Sequence, residues 1–185
     1  MRLPALEKNI LKYRALEMAL SLFYAQSLKN LIIESLHTTD KLLNHNRFSK
    51  DTNKPLQKAL KILLEENILT ETETQEIKNL IDYRNDIAHH MEQMTKDIKH
   101  PNELFDGHEF IRQKYNYDIP KKLQFYKRKI EKGFQAHYYV VNISLDTYFF
   151  EHAEQTYMEE MGRLYKKIIN QMEKRTQKHA LQSQK

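Results

Sequence analysis

One short stretch of the sequence, IDYRNDIAHH at residues 81–90, places a side chain that can hold a phosphate beside one that can move a proton. The guanidinium of Arg84 stays charged at physiological pH and matches phosphate oxygens with a rigid fork of donors. The imidazole of His89, with an ordinary pKa of about 6.5, can serve as acid or base at neutral pH. The amide of Asn85 can hold a phosphate oxygen or orient the imidazole. These residue types predict acid–base chemistry on a phosphate.

The same three residues belong to a segment with helical periodicity, predicted to run from about Glu71 to Met94. On a helix Asn85 and His89 lie about 40° apart, and Arg84 is the next position round from Asn85. The side chains are therefore expected to fan over one sector at the edge of the apolar seam, where a partner helix would pack. An arginine there needs a carboxylate, a phosphate or a second subunit, because an unpaired buried charge is costly.

Five segments of the chain show apolar residues at helical spacing, and they predict an all-α, up-and-down bundle of four to five helices. A capping box, Thr70 followed by Glu73, marks the start of the third helix. Residues 137–145 fit a strand as well as a helix and stay open. Helices are predicted at about 6–35, 55–67, 71–94, 121–132 and 146–174, with a short one at 108–115.

Composition limits the class of protein. Three glycines and four prolines in 185 residues argue against a turn-rich β-sandwich. The absence of cysteine excludes disulfides and thiolate chemistry and favours a cytoplasmic location. No stretch is apolar for long enough to suggest a membrane span. The length predicts one domain, assigned to residues 1–175, with a frayed or disordered tail at 176–185.

Residues 60–90, LKILLEENILTETETQEIKNLIDYRNDIAHH, resemble the core of a HEPN (higher eukaryotes and prokaryotes nucleotide-binding) domain. That family consists of all-α bundles whose signature is an arginine, a polar residue and, near a helix end, a histidine. The signature matches Arg84, Asn85 and His89 here, whereas the family pattern gives no role to Asp86 or His90. The resemblance implies a metal-independent endoribonuclease without a cofactor, acting as a toxin or in antiviral defence. It also implies a homodimer with facing signatures, and an antitoxin or other regulatory partner.

Such an enzyme would use the RNA 2′-hydroxyl as the nucleophile on the adjacent phosphate. The expected products are a 2′,3′-cyclic phosphate and a 5′-hydroxyl. Two-fold pairing would supply a second histidine, so that one could act as base and the other as acid. The histidines at 89, 90, 100 and 108 lack the H-x3-H spacing of a helical zinc site, so no metal site is expected.

A second feature is a run of basic residues with interleaved aromatics at 121–132, KKLQFYKRKIEK; residues 162–178 are nearly as basic. This run, with Phe125, Tyr126, Tyr115 and Tyr117, could follow an RNA backbone and stack on bases. The alternative is a solvated helix face with ordinary core aromatics. The candidate RNA-binding residues are Lys121, Lys122, Lys127, Arg128 and Lys129.

Other functions remain open on the sequence alone. Arg84 could instead form a structural ion pair with Glu17 or Glu34 of the first helix, leaving His89 in a solvated helix end that complements the dipole. A non-catalytic HEPN module could bind RNA, a nucleotide or a partner protein. The chain could also be a plain helical interaction protein.

Overall fold

The computed structural model describes residues 4–49, 51–89, 119–137, 139–141 and 145–182. The short helix predicted at 108–115, the third helix beyond His89, and Tyr115 and Tyr117 lie outside the described residues. Within the described part, the chain forms helices and no strand, which confirms the all-α bundle. The helices are α1 (Ala5–Leu42), α2 (Pro55–Glu65), α3 (Glu71–His89), α4 (Ile119–Ala136) and α5 (Leu145–Gln182).

Helix α1 is the element against which the other four pack. Its apolar stripe is fully or almost fully buried among α2, α3 and α4, because every third or fourth residue along it is a large aliphatic. None of the five described helices combines the length and the apolar composition that a bilayer crossing requires. The most deeply buried members of the stripe are Leu20, Leu28, Ile32 and Leu36.

The predicted end of the first helix, near Ser35, is wrong, because α1 continues to Leu42. Two polar residues of this extension, Thr39 and Asp40, are buried with partners that satisfy them. Thr39 Oγ1 accepts a hydrogen bond from the backbone N–H of Val140 at 3.0 Å. Asp40 accepts the N–H of Phe48 at 2.8 Å and pairs with Arg47 at 2.6 Å. Polarity therefore reflects tertiary contacts here rather than a loop.

Helices α2 and α3 form a helical hairpin, and the predicted capping box is confirmed. Glu73 N donates to Thr70 Oγ1 at 3.3 Å, and Thr70 N donates to Glu73 Oε2 at 3.0 Å. Two backbone donors that a helix start leaves unpaired are thus satisfied. Asn67, with φ of 59°, supplies the left-handed residue that turns the chain between the two helices.

The segment left open by the sequence is neither helix nor strand at Tyr139–Val141, and α5 begins at Leu145, next to the predicted start at Asp146. Tyr139 stacks on Phe134, which ties this connection to the core. The predicted end of the last helix near Lys174 is wrong, because α5 continues to Gln182. The predicted disordered tail at 176–185 is thus helical as far as Gln182, and residues 183–185 lie outside the described residues.

Candidate functional site

The three signature positions occupy the last two turns of α3. Asn85 is exposed on the surface of the helix. The side chains of Arg84 and His89 lie outside the described residues, so the backbone alone places these two positions. The helix brings all three into one short segment, as the sequence predicts.

Packing against α1 and α4 holds α3 in place. Its apolar face is buried through Ile77, Leu80 and Ile81. Polar contacts then fix how far α3 slides along α4. Tyr126 Oη donates to Glu76 Oε2 at 2.5 Å, and Lys122 Nζ lies 2.6 Å from Glu76 Oε1.

The carboxylates of this contact are electrostatically stabilised by their partners. A hydrogen bond from Lys129, assisted by the backbone N–H of Thr70, lowers the pKa of Glu73. Hydrogen bonds from Lys122 and then from Tyr126 lower the pKa of Glu76. Burial, and then the bond to Glu76, raise the pKa of the Tyr126 phenol. Both acids are therefore anionic partners for α4 at neutral pH.

The same contacts show that α3 and α4 are antiparallel, because the later α3 residue, Glu76, meets the earlier α4 residue, Lys122, whereas Glu73 meets Lys129. Glu73 precedes Asn85 by about 18 Å along the helix axis, at about 1.5 Å per residue. Of the predicted basic residues, Lys121 and Lys122 at the start of α4 are therefore nearest to the signature. The group at 127–129 lies toward the opposite end of α3.

A chain of hydrogen bonds relates α3 to α1 as well. Gln124 of α4 donates to Glu154 of α5 at 2.6 Å, and Glu154 also accepts the hydroxyl of Tyr24 in α1. Helices α4 and α5 are antiparallel, because Gln124 meets Glu154 whereas Lys127 meets Glu151.

Helices α5 and α1 are antiparallel as well, because Tyr24 meets Glu154 whereas Asn9 meets Gln171. Tyr24 is thus roughly level with Glu76, and α1 is antiparallel to α3. Asn85 lies about 13 Å beyond Glu76, which corresponds to about nine residues from Tyr24 toward the start of α1.

That level on α1 carries two buried charged residues, Arg14 and Glu17, with 2% and 5% of their surface exposed. They are three positions apart and share a face of the helix. Glu34 lies about 15 Å from Tyr24 in the other direction, by the same helical rise. Of the two acids considered for an ion pair with Arg84, Glu17 is therefore the one level with the signature. The burial of Arg14 could not be predicted from the sequence, because it depends on which distant helices cover that face of α1.

The predicted RNA-binding residues of α4 divide into two groups. Three of them are held by acids: Lys122 by Glu76, Lys129 by Glu73, and Lys127 by Glu151 at 3.0 Å. The other two, Lys121 and Arg128, are exposed and make no ion pair within the described part of the chain. Of the five predicted residues, only these two are available without breaking an ion pair of the described residues.

The aromatic residues of α4 divide in the same way. Phe125 keeps 59% of its surface exposed, whereas Tyr126 is buried with its hydroxyl on Glu76. Phe125 can therefore offer a ring to a base, and Tyr126 acts as a core residue. The core alternative is confirmed for Tyr126, and the stacking prediction for Phe125 stays a prediction.

Over the described residues, no group of three or more histidine or acidic side chains is arranged to hold a metal ion. Three of the histidines weighed for such a site, His90, His100 and His108, lie outside the described residues. We compared the chain with protein-family models, with curated proteins and with solved structures, and none of them matches it.

Proposed function

We propose that the chain is a metal-independent endoribonuclease of HEPN type that acts as a toxin or in antiviral defence. The observation that carries this proposal is the order of Arg84, Asn85 and His89 on one continuous helix, within its last two turns and with Asn85 exposed. A phosphate held there would lie within reach of an acid–base group and of a permanent cation.

In the proposed reaction His89 accepts the proton of the RNA 2′-hydroxyl, whose oxygen attacks the neighbouring phosphorus. Arg84 pairs with the phosphate oxygens and stabilises the negative charge that develops on them. Asn85 holds a phosphate oxygen or orients the imidazole. The bond to the 5′-oxygen then breaks and leaves a 2′,3′-cyclic phosphate and a 5′-hydroxyl. No step requires a metal ion.

The leaving 5′-oxygen needs a proton, and one signature offers a single histidine. A homodimer with the two α3 ends facing each other across the RNA would supply it from His89 of the second copy. Such a pair of sites would also give Arg84 a phosphate partner at the edge of the apolar seam. Lys121, which lies nearest the signature on α4, is placed to contact the RNA beside the cleaved bond.

The decisive experiment incubates the purified chain with labelled single-stranded RNA in EDTA, beside His89→Ala. His45→Ala is the matched control, because His45 is an exposed histidine in the loop after α1. We expect cleavage by the wild type and by His45→Ala, products ending in a cyclic phosphate, and at least a hundredfold loss in His89→Ala. Products with 5′-phosphate ends that form only with magnesium would contradict the proposal.

If all three proteins leave the RNA intact but bind it, the nuclease proposal fails and a non-catalytic binding module replaces it. Arg84→Ala tests a third hypothesis, in which the arginine has a structural rather than a catalytic role. A structural ion pair predicts lower stability for Arg84→Ala but not for His89→Ala. The proposed chemistry predicts that both lose activity, and urea unfolding of each variant compares their stabilities.

A further inference from the structure

The first half of α1 and the second half of α5 form a two-helix arm, defined here as residues 5–20 and 161–182. A small apolar cluster of Leu6, Ile10, Ile168 and Met172 joins the two helices, separate from the main core. Two polar contacts flank it. Arg175 pairs with Glu7 at 2.8 Å, and Asn9 donates to Gln171 at 3.0 Å.

This arm carries a large share of the positive charge of the molecule. Its two segments contain nine Lys or Arg and three Asp or Glu, so the arm has a net charge of +6. The whole chain has a net charge of +5, which leaves −1 for all other residues. Helix α4 is also basic, with six Lys or Arg and one Glu, but three of its lysines are paired with acids of α3 and α5. The arm therefore presents more unpaired cations to a polyanion than α4 does.

The cations of the arm lie on one face. At about 100° per residue, five of the six basic positions of α5 from Arg163 to Lys178 fall within a sector of about 120°. The sixth, Arg175, lies outside this sector and pairs with Glu7. The buried residues Leu164, Ile168 and Met172 have their centre about 140° round the helix from the centre of that sector, against α1. The five basic positions of the sector are Arg163, Lys166, Lys167, Lys174 and Lys178, and all are exposed.

Helix α1 adds to the same face. The carboxyl of Glu160, one residue before the arm begins, has its pKa lowered first by a hydrogen bond from Arg163 and then by the charges of Arg163, Lys167 and Lys12. Lys12 of α1 is therefore near the basic stripe of α5. Lys8 is also exposed, one turn before Lys12 on α1. Apart from Arg163, these exposed cations make no ion pair among the described residues.

We propose that this face of the arm binds the sugar–phosphate backbone of RNA. The stripe on α5 is about 22 Å long at 1.5 Å per residue, which is about the length of six phosphates at about 3.4 Å each. Lysines on flexible stems can follow such a backbone without reading its sequence. The proposal rests on the proposed function for the identity of the polyanion.

Two other occupants fit the arm less well. A second copy would bring a net charge of +6 against another +6, which is repulsive at close range. A membrane surface would need an apolar face beside the basic one, and that face of α5 is already buried against α1. The part of the arm nearest the core includes Arg14 and Glu17, which are level with the signature, so RNA lying on the arm leads toward the proposed cleavage site.

The test measures RNA binding by fluorescence anisotropy, with a labelled single strand of about 20 nucleotides and salt between about 0.05 and 0.2 M. All proteins carry His89→Ala, so that cleavage does not interfere. One variant replaces four arm lysines by Gln; the control replaces four exposed lysines outside the arm. The arm variant changes Lys166, Lys167, Lys174 and Lys178, and the control changes Lys41, Lys54, Lys58 and Lys61.

We expect the arm variant to bind at least tenfold more weakly at about 0.1 M salt. The slope of log affinity against log salt should become shallower by about 3, since each phosphate contact on a single strand contributes about 0.7. The control variant should bind RNA within about twofold of the His89→Ala protein from which it derives. Circular dichroism should show equal helix content in the His89→Ala protein, the arm variant and the control variant.

Equal affinity for the arm variant and its parent would overturn the proposal, as would an equal loss in the control. Binding to vesicles of anionic phospholipid without binding to RNA would also overturn it, in favour of a membrane surface. The EDTA cleavage assay keeps the two proposals separate. Arm-dependent binding without cleavage refutes only the nuclease, and cleavage with arm-independent binding refutes only the arm.

Discussion

Lys122 Nζ lies 2.6 Å from Glu76 Oε1, across the contact between α4 and α3. Lys129 makes the same kind of bond to Glu73, one turn earlier on α3. Lys122 and Lys129, two of the predicted RNA-binding residues, thus hold α3, the helix that carries the signature. Their first role in this fold is to position α3, and this separates them from Lys121 and Arg128 on the same helix.

Replacing the paired lysines should therefore lower stability. We expect Lys122→Met and Lys129→Met each to reduce the free energy of unfolding by about 0.5–1 kcal/mol, because each removes a partly exposed ion pair. Lys121→Met, which removes an exposed and unpaired lysine next to Lys122, should change it by less than about 0.5 kcal/mol. Urea unfolding followed by circular dichroism measures all three. Equal effects at 121 and 122 would show that the ion pair to Glu76 contributes nothing.

The same contact predicts acid sensitivity. Lys129 and Lys122 lower the pKa values of Glu73 and Glu76, so the folded state binds protons less readily than the unfolded chain. Their contribution is therefore complete above the ordinary carboxyl pKa of about 4.3 and is lost as the pH falls through the lowered values. We expect the stability advantage of the wild type over Glu73→Gln/Glu76→Gln to shrink between about pH 6 and pH 3.

Urea unfolding at several pH values tests this, with Glu173→Gln as control. Glu173 is an exposed acid on α5. Its replacement should leave the pH dependence of unfolding close to that of the wild type. An advantage for the wild type that stays constant down to about pH 3 would show that these carboxylates are not stabilised by their lysines.

The sequence predicted what depends on neighbours along the chain. The capping box of Thr70 and Glu73 acts over three residues, and its bonds form as expected. Contacts between helices could not be read in this way. Lys122 and Glu76 are 46 positions apart, and their meeting depends on how far α4 slides along α3. The extension of α1 past Ser35 depends in the same way on distant partners, such as Val140 for Thr39.

The capping box itself is open to a stability test. Thr70→Ala removes the hydroxyl that accepts the backbone N–H of Glu73, and we expect a loss of about 1 kcal/mol in unfolding free energy. Thr70→Ser keeps the hydroxyl and should retain most of the stability. The unfolding free energies of both variants should be measured by urea unfolding at a temperature where each variant is folded. A serine variant as unstable as the alanine one would show that the hydroxyl is not what matters.

Two glycines in helices offer a matched pair of alanine substitutions for which we expect stability changes of opposite sign. A Cβ at Gly133 of α4 would overlap Cγ2 of Ile68, a buried and β-branched residue that cannot turn aside freely. A Cβ at Gly162 of α5 would meet nothing within 4 Å. Alanine is favoured over glycine in a helix by about 1 kcal/mol, partly because the unfolded chain then loses less conformational entropy on folding. Both substitutions share this stabilising contribution, so they differ only in what the added Cβ contacts.

We therefore expect Gly162→Ala to raise the free energy of unfolding by about 0.5–1 kcal/mol. Gly133→Ala should lower it by about 1 kcal/mol or more, because the overlap with Ile68 outweighs the helical gain. Adding Ile68→Val, which keeps the branched Cβ, should rescue little of that loss, whereas Ile68→Ala should relieve the overlap in the Gly133→Ala background. Thermal and urea unfolding of the set decide the matter. A Gly133→Ala variant that is more stable than the wild type would contradict a close contact between Gly133 of α4 and Ile68 in the α2–α3 turn.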